Sequence, residues 1–276
     1  MPKLAVAGNV AVDRIDGLPP SPGGCPSFAA QTLRLLGRSG QILTRYAERD
    51  RGLFEPVLAT LGGLGVSVTT LPARSTNAFG FRYEGERRTM TVEAIGEPWS
   101  PADADALADD VTWVHVAPLL RSDFPAEALA ALGRGGRVVS YDGQGLVRVP
   151  ELGPLRVDAA FDPALLETIS VLKLAEDEAV VLAGASFEER HARRLGVREI
   201  LVTYGSEGCI LYLEGEDEHV PAAWKVHGVQ TTGAGDVFTV AYAVWRNEGE
   251  PPRAAAERAS ELVARMLEER KRVGWP

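Results

Sequence analysis

The sequence predicts an α/β fold, with a mostly parallel sheet covered by helices on both faces. Three observations carry this. Short apolar runs of strand length alternate along the chain with apolar residues at helical spacing. The 29 glycines and 18 prolines supply the many turns such an alternation needs. A chain of 276 residues that is 45% apolar can bury the large core of a two-faced sheet.

The elements follow in order. Residues 4–8, Leu-Ala-Val-Ala-Gly, read as a buried strand. Across 25–36 the apolar positions Phe28, Ala29, Thr32, Leu33, Leu35 and Leu36 recur at helical spacing, and Gly37 stops the helix. A strand at 41–46, a helix at 53–61 and a strand at 66–71 come next. Further strands are expected at 112–117, 137–141, 171–174 and 200–204, separated by helices at 126–132, 163–168, 177–183 and 187–195. One region breaks the rhythm. Phe79, Phe81 and Tyr83 alternate with polar or small residues, Glu84-Gly85-Glu86 can turn, and Met90 and Val92 alternate with Thr91 and Glu93. This predicts an antiparallel hairpin with one apolar face. A lone hairpin is marginal in water, so that face must rest on a ligand, another short sheet or a second copy of itself. It reads as a lid on the main sheet, completed by residues near Val10 to Ile15.

Several chemistries are excluded. A net charge of −9 argues against a nucleic-acid partner, which needs a basic face, but leaves room for a small phosphate ligand. Cys25 and Cys209 make neither a disulfide framework nor a metal cluster, which suits a reduced, cytoplasmic protein. The apolar opening at 4–7 is too short for a signal-peptide core, and no run reaches the ~18 residues of a membrane span, so no membrane partner is expected. None of the four lysines (Lys3, Lys173, Lys225, Lys271) stands in a P-loop, and no Gly-x-Gly-x-x-Gly follows the first strand. Ser206 lacks nucleophile-elbow spacing. His115, His191, His219 and His227 lack metalloprotease spacing and read as core or solvated residues.

What remains is Gln230-Thr-Thr-Gly-Ala-Gly-Asp236-Val-Phe238, leading into a helix whose apolar face is Val237, Phe238, Val240, Ala241, Val244 and Trp245. Gly249 and Pro251-Pro252 end that helix. Glycines before a helix let backbone amides face an anion, and the helix N-terminus adds positive potential. A phosphate could dock there without a lysine. Asp236 would lie beside that anion, and a general base aimed at a phosphate acceptor explains the pairing. An Asp in a first turn also gains ~0.3–1 kcal/mol from the dipole alone. Gly233 and Gly235 could equally serve close packing.

Thr-Gly-Ala-Gly-Asp-x-Phe resembles the signature of the PfkB/ribokinase family of carbohydrate kinases, and the resemblance extends over nearly the whole chain. Gly8-Asn9-x-x-x-Asp13 resembles the family's opening strand, whose Asp reaches substrate hydroxyls. Pro22-Gly23-Gly24 and the helix after it resemble its second signature. Thr203-Tyr-Gly205-x-x-Gly208 resembles the nucleotide-side loop, and Lys173-Leu-Ala-Glu176-Asp-Glu178 the segment whose last Glu helps organise magnesium. Asp142-Gly-Gln144-Gly145-Leu-Val-Arg148 is similar to a segment of the myo-inositol-kinase-like members.

The resemblance implies a ribokinase-like three-layer α/β/α sandwich with a mostly parallel sheet and a small β lid. The whole chain, 1–276, would be one domain, with the lid drawn from about 10–17 and 75–97. It implies ATP-dependent phosphorylation of a small sugar or polyol, myo-inositol-like favoured. Asp236 would be the base, and the amides of Gly233, Ala234, Gly235 and Asp236 the anion hole. Asn9, Asp13, Gly23, Gly24, Phe28, Gln144 and Arg148 would bind the acceptor. Thr203, Gly205, Gly208, Thr232, Gly233 and Gly235 would bind ATP, with Mg2+ held through water by Glu178. Arg148 could grip phosphate oxygens or form an ordinary surface salt bridge.

The sequence also departs from the family pattern. Gln230 stands where the family usually has an Asp that often belongs to a monovalent-cation site, which puts potassium activation in doubt. Ala175 replaces the Asn that usually partners Glu178, and Phe28 replaces a sugar-contacting Asn. A nucleoside kinase of the same fold and a non-catalytic nucleotide-binding regulator are the other readings. The hairpin's aromatics suit a lid-to-lid homodimer.

Overall fold

Alternate residues of a strand face opposite sides of its sheet, and the first strand shows what each side receives. In the computed structural model, which describes residues 3–61, 65–84, 87–214 and 216–273, Leu4 and Val6 enter one core and Ala5 and Ala7 the other.

The chain runs β1 (Lys3–Gly8), β2 (Ala11–Ile15), β3 (Ser21–Gly23), α1 (Cys25–Leu35), β4 (Gly40–Ala47), α2 (Arg51–Leu61) and β5 (Val66–Ala73). The hairpin β6 (Asn77–Glu84) and β7 (Arg87–Ala94) follows, then β8 (Val111–Ala117), α3 (Ala126–Leu132), β9 (Val138–Asp142), α4 (Gln144–Val147) and β10 (Gly153–Pro154). After β11 (Val171–Ala175) come α5 (Glu176–Ala183), α6 (Glu189–Leu195), β12 (Glu199–Thr203), β13 (Cys209–Leu213), β14 (Glu216–Val220), α7 (Ala234–Asn247) and α8 (Pro252–Arg272).

Nine strands form the central sheet in the order β14-β13-β12-β11-β9-β8-β1-β4-β5. All neighbours are parallel except β12–β13 and β13–β14. On one face α1, α7 and α8 bury Leu33, Val240, Val244 and Ala259. On the other, α3, α5 and α6 bury Leu129, Leu132, Leu182 and Ala192. Each fully buried leucine or valine contributes about 1.5–3 kcal/mol. This is the three-layer sandwich the alternation predicts.

The second sheet has the order β10-β7-β6-β2-β3. As expected, residues after β1 complete the hairpin: β2 pairs in parallel with β6, Ala11 opposite Asn77 and Ile15 opposite Phe81. Across the hairpin Phe79 faces Val92 and Phe81 faces Met90. The expected turn at Gly85-Glu86 lies outside the described residues. Phe79 and Val92 pack with Ala11, Leu119 and Leu120. Phe79 and Val92, on the face that motivates a lid-to-lid dimer, are therefore turned inward within one chain.

Several elements depart from expectation. Residues 163–168 form a 3-10 turn, Pro163–Glu167, capped by Asp162, whose Oδ1 accepts from Ala164 N at 3.0 Å. Pro252, expected only to end the preceding helix, begins the 21-residue α8, where a missing N–H costs nothing.

Candidate active site

Parallel sheets bind ligands beyond the carboxyl ends of their strands, where neighbouring connections leave in opposite directions. Here β1 connects outward to β4 on one side, while its other neighbour is β8. Beyond these ends lies a cavity of about 530 Å³. Its floor includes Lys173, Glu178 and Asp236, its wall Phe28, Gln144 and Arg148, and its roof Phe79, Phe81 and Met90 from the lid.

Asp236 sits in the first turn of α7, next to amides that a helix leaves without intrahelical acceptors. Gly233 precedes the helix at φ 78, a conformation that favours glycine. Its missing side chain has a second purpose: a Cβ there would lie 2.3 Å from the Phe28 ring. Phe28 thus packs directly on the backbone of the turn. Ala234 corrects one expectation, because its N–H donates to the Thr231 carbonyl at 2.9 Å. Of the amides expected to form the hole, those of Gly233, Gly235 and Asp236 remain.

Burial pushes the Asp236 carboxyl up to about 6, and the nearby Asp142 carboxylate adds to the rise, while Lys173, Cys25 and Arg148 pull against it. Lys173 is the positive centre of this floor. It lies on β11, almost wholly buried, with Nζ 3.5 Å from Asp142 Oδ2. Burial alone would lower its pKa, but Asp142, Glu178 and Asp236 outweigh burial and raise it. A buried charge persists only when paired, and here one lysine serves three carboxylates. Asp142 also accepts from Gln144 N at 3.1 Å, and Lys173 holds its carboxyl below the ordinary value despite burial. Glu178 is buried too; its Oε2 accepts from Ala175 N at 2.8 Å, closing the first turn of α5. His115 lies in the core, where burial lowers its pKa to about 4 and keeps it neutral.

Of the residues expected to bind the acceptor, Asp13, Gly24, Phe28, Gln144 and Arg148 line the cavity. The charge of Arg148 acts on Asp142, Glu178 and Asp236, which is not the setting of a surface salt bridge. Gly23 makes room for a neighbour, since a Cβ there would lie 2.1 Å from Asp13 Oδ2. Gly24, at φ 92, lets α1 begin against the Asn9 carbonyl, 2.6 Å from where a Cβ would stand. Asn9 is the correction on this side. It is buried behind the cavity, its Oδ1 accepting from Trp99 Nε1 at 2.8 Å, so it supports the wall and does not line it.

Of the residues expected to bind the nucleotide, Thr203, Gly205, Gly208 and Gly235 gather at an adjoining pocket of about 120 Å³ that shares Gly235 with the cavity. Thr203, Gly205, Gly208 and Ala234 line it with apolar Val220 and Phe238. Gly208 is at φ 97, and a Cβ would meet the Val220 carbonyl at 2.2 Å. Thr232 lies on the main cavity instead. Among the described residues no three His, Cys, Asp or Glu side chains converge on a metal site.

Sequence reading missed Lys173 as a site residue, along with Asp142 and Cys25. The signal for Lys173 was present: a lone cation inside the apolar run Val-Leu-Lys-Leu must find buried carboxylates. Cys25 gave no such signal, because it meets Asp236 only through the fold.

A covered cavity with a carboxylate in the first turn of a helix can hold a phosphorylated donor and a hydroxyl acceptor together, the work of a small-molecule kinase. A family model described as pfkB family carbohydrate kinase matches residues 84–271, and the chain belongs to that family. It is similar to a fructokinase of Escherichia coli, 27% identical over 263 residues, covering 86% of this chain and 81% of that one. Among solved structures it resembles a pyrophosphate-dependent kinase in the ribokinase family, complexed with a pyrophosphate analog and myo-inositol. That match has a TM-score of 0.80 at 24% identity over 96% and 95% of the two chains. It also resembles Arabidopsis thaliana ribokinase complexed with ribose and ATP, with a TM-score of 0.72 at 22% identity over 97% and 93%. Among the described residues no helix is long and apolar enough to cross a membrane.

Proposed function

We propose that this kinase moves the γ-phosphoryl group of ATP to a hydroxyl of a small polyol or sugar, with a myo-inositol-like acceptor favoured. The observation that carries the reading is Asp236: it stands at the start of α7 and faces the same cavity as Asp13, Gln144 and Arg148. Its raised pKa of about 6 suits a base working near neutrality.

Asp13 and Gln144 orient the acceptor, and Asp236 takes the proton of the attacking hydroxyl. The amides of Gly235 and Asp236 stabilise charge on the transferring group, and Arg148 and Lys173 add positive potential. The apolar pocket beside Thr203 and Gly208 suits the base of a nucleotide. Magnesium fits as a passenger of the phosphates: Glu178 and Asp177 offer one or two carboxylates at the cavity, too few to hold the ion alone. When bound, it would neutralise phosphate charge. The lid's apolar face keeps water from competing with the acceptor.

The test is turnover with magnesium-ATP against myo-inositol, ribose, fructose, cytidine and adenosine, with inorganic pyrophosphate as a second donor. Phosphorylation of myo-inositol from ATP is the expected result. Phosphorylation of a nucleoside alone would overturn the acceptor assignment, and turnover from pyrophosphate alone would overturn the donor.

A further inference from the structure

The turn before α7 is held from behind by a cation. Arg270, in the last turn of α8, donates from Nη1 to the carbonyls of Gln230 at 3.2 Å and Thr232 at 2.8 Å. Burial lowers the pKa of its guanidinium, and among the described residues no carboxylate forms an ion pair with it. In this region the usual surface pattern is different: neighbouring Arg272 is paired with Glu269 and Arg265 with Glu261.

The two carbonyls matter because of what lies on their other side. In a trans peptide the C=O and the following N–H point in opposite directions, and the described residues contain no cis bond. Fixing the carbonyls of residues 230 and 232 toward Arg270 aims the N–H groups of Thr231 and Gly233 away from it. Thr231 and Gly233 both line the cavity. The Gln230 side chain closes the same turn, accepting from Thr232 Oγ1 at 3.0 Å. A positive charge on the carbonyl side thus orders and polarises amides on the anion side.

We infer that Arg270 is a built-in cation that orders the donor-side wall of the anion hole. It is a positioning residue: it touches the turn, not the substrate. The inference rests on the proposed phosphoryl transfer for its kinetic test, but not for its binding test.

Three readouts test it. Arg270→Ala raises KM for magnesium-ATP about ten- to a hundredfold, the range for loss of charged hydrogen bonds, while KM for the acceptor stays within about twofold. Added guanidinium ion restores part of the loss in Arg270→Ala, and Arg270→Lys retains an intermediate KM. Calorimetric binding of a non-hydrolysable ATP analogue to both proteins gives the same ranking even if no acceptor is turned over, which separates failure of this inference from failure of the proposed function. Unchanged donor affinity in Arg270→Ala would overturn the inference, as would an equal loss for donor and acceptor that accompanies a lower melting temperature and resists guanidinium.

Discussion

Beneath the cavity, Asp142, Lys173 and Glu178 are buried and Asp236 is half-buried, on β9 and β11 and in the first turns of α5 and α7. Above it, Phe79, Phe81 and Met90 contribute no charge at all. The floor is electrostatically costly and geometrically fixed, because every group is held by a partner from another element. The roof is an apolar face of a small sheet that meets the main body through Leu119 and Leu120. The difference separates two tasks. Chemistry needs charges at defined positions before the substrate arrives, while exclusion of water needs only an apolar surface that can approach.

The largest effect belongs to the floor. Asp236→Asn lowers kcat ~10²–10⁴-fold, because the transition state loses its proton acceptor. A variant keeping over half of wild-type activity in steady-state assays would sink the assignment. In the wild type, kcat/KM rises with pH through an inflection near 6 as Asp236 ionises. The same group makes a stability prediction of opposite sign. Its folded pKa is raised, so the native state binds the proton more tightly than the unfolded state, and stability falls as pH climbs from about 4 through 6. Asp236→Asn removes that loss. It stabilises the fold by on the order of 1–3 kcal/mol above pH 6, and the gain disappears near pH 4. Melting temperatures across that window check it; a variant destabilised at pH 7 would show that burial does not strain the carboxylate.

Lys173→Met tests whether the floor is one charge system. Removing one partner from a buried ionic group costs about 3–5 kcal/mol, because Asp142, Glu178 and Asp236 lose their common cation. The deficit is larger at pH 8 than at pH 5, where the orphaned carboxylates take up protons. Any remaining kcat/KM shows its acid limb above pH 6, since Lys173 is the main influence holding Asp236 down. Unfolding by urea at the two pH values and a pH–rate profile measure both. A variant with unchanged stability and an unmoved limb would mean the floor groups act independently.

The same contrast explains what could be read from the sequence. The roof was legible because alternation of Phe79 and Phe81 with Gly80 and Arg82 has a period only a strand satisfies. The turn before α7 was legible because Gly233, Ala234, Gly235 and Asp236 are contiguous. Lys173, Asp142 and Cys25 come from β11, the end of β9 and the start of α1, and nothing local says that these ends converge. The helix α8 escaped because its buried side are mostly small residues, Ala255, Ala256, Ala259 and Ala264, among many charges, so the apolar period is faint. The edge hairpin β13–β14 escaped because β14, Glu-Asp-Glu-His-Val, is charged as exposed edge strands are. Asn9 was placed by its motif at the substrate, but its side chain meets Trp99 behind the wall.

Phe81→Ala carries the smallest effect and tells most about the roof. Phe81 is only partly buried and faces the cavity beside Met90. Its truncation therefore removes less packing than a core phenylalanine, whose loss costs about 3–5 kcal/mol, and the melting temperature falls little. The acceptor loses part of its apolar cover, so KM for the acceptor rises by roughly tenfold or less, while kcat falls modestly because the floor is untouched. The distinguishing readout is the ratio of ATP hydrolysed to acceptor phosphorylated. If the roof exists to exclude water, that ratio rises in Phe81→Ala, and it rises further when Met90 is truncated as well. If the ratio stays at the wild-type value while KM rises, the roof recognises the acceptor without protecting the donor, and water must be excluded by the acceptor itself filling the cavity.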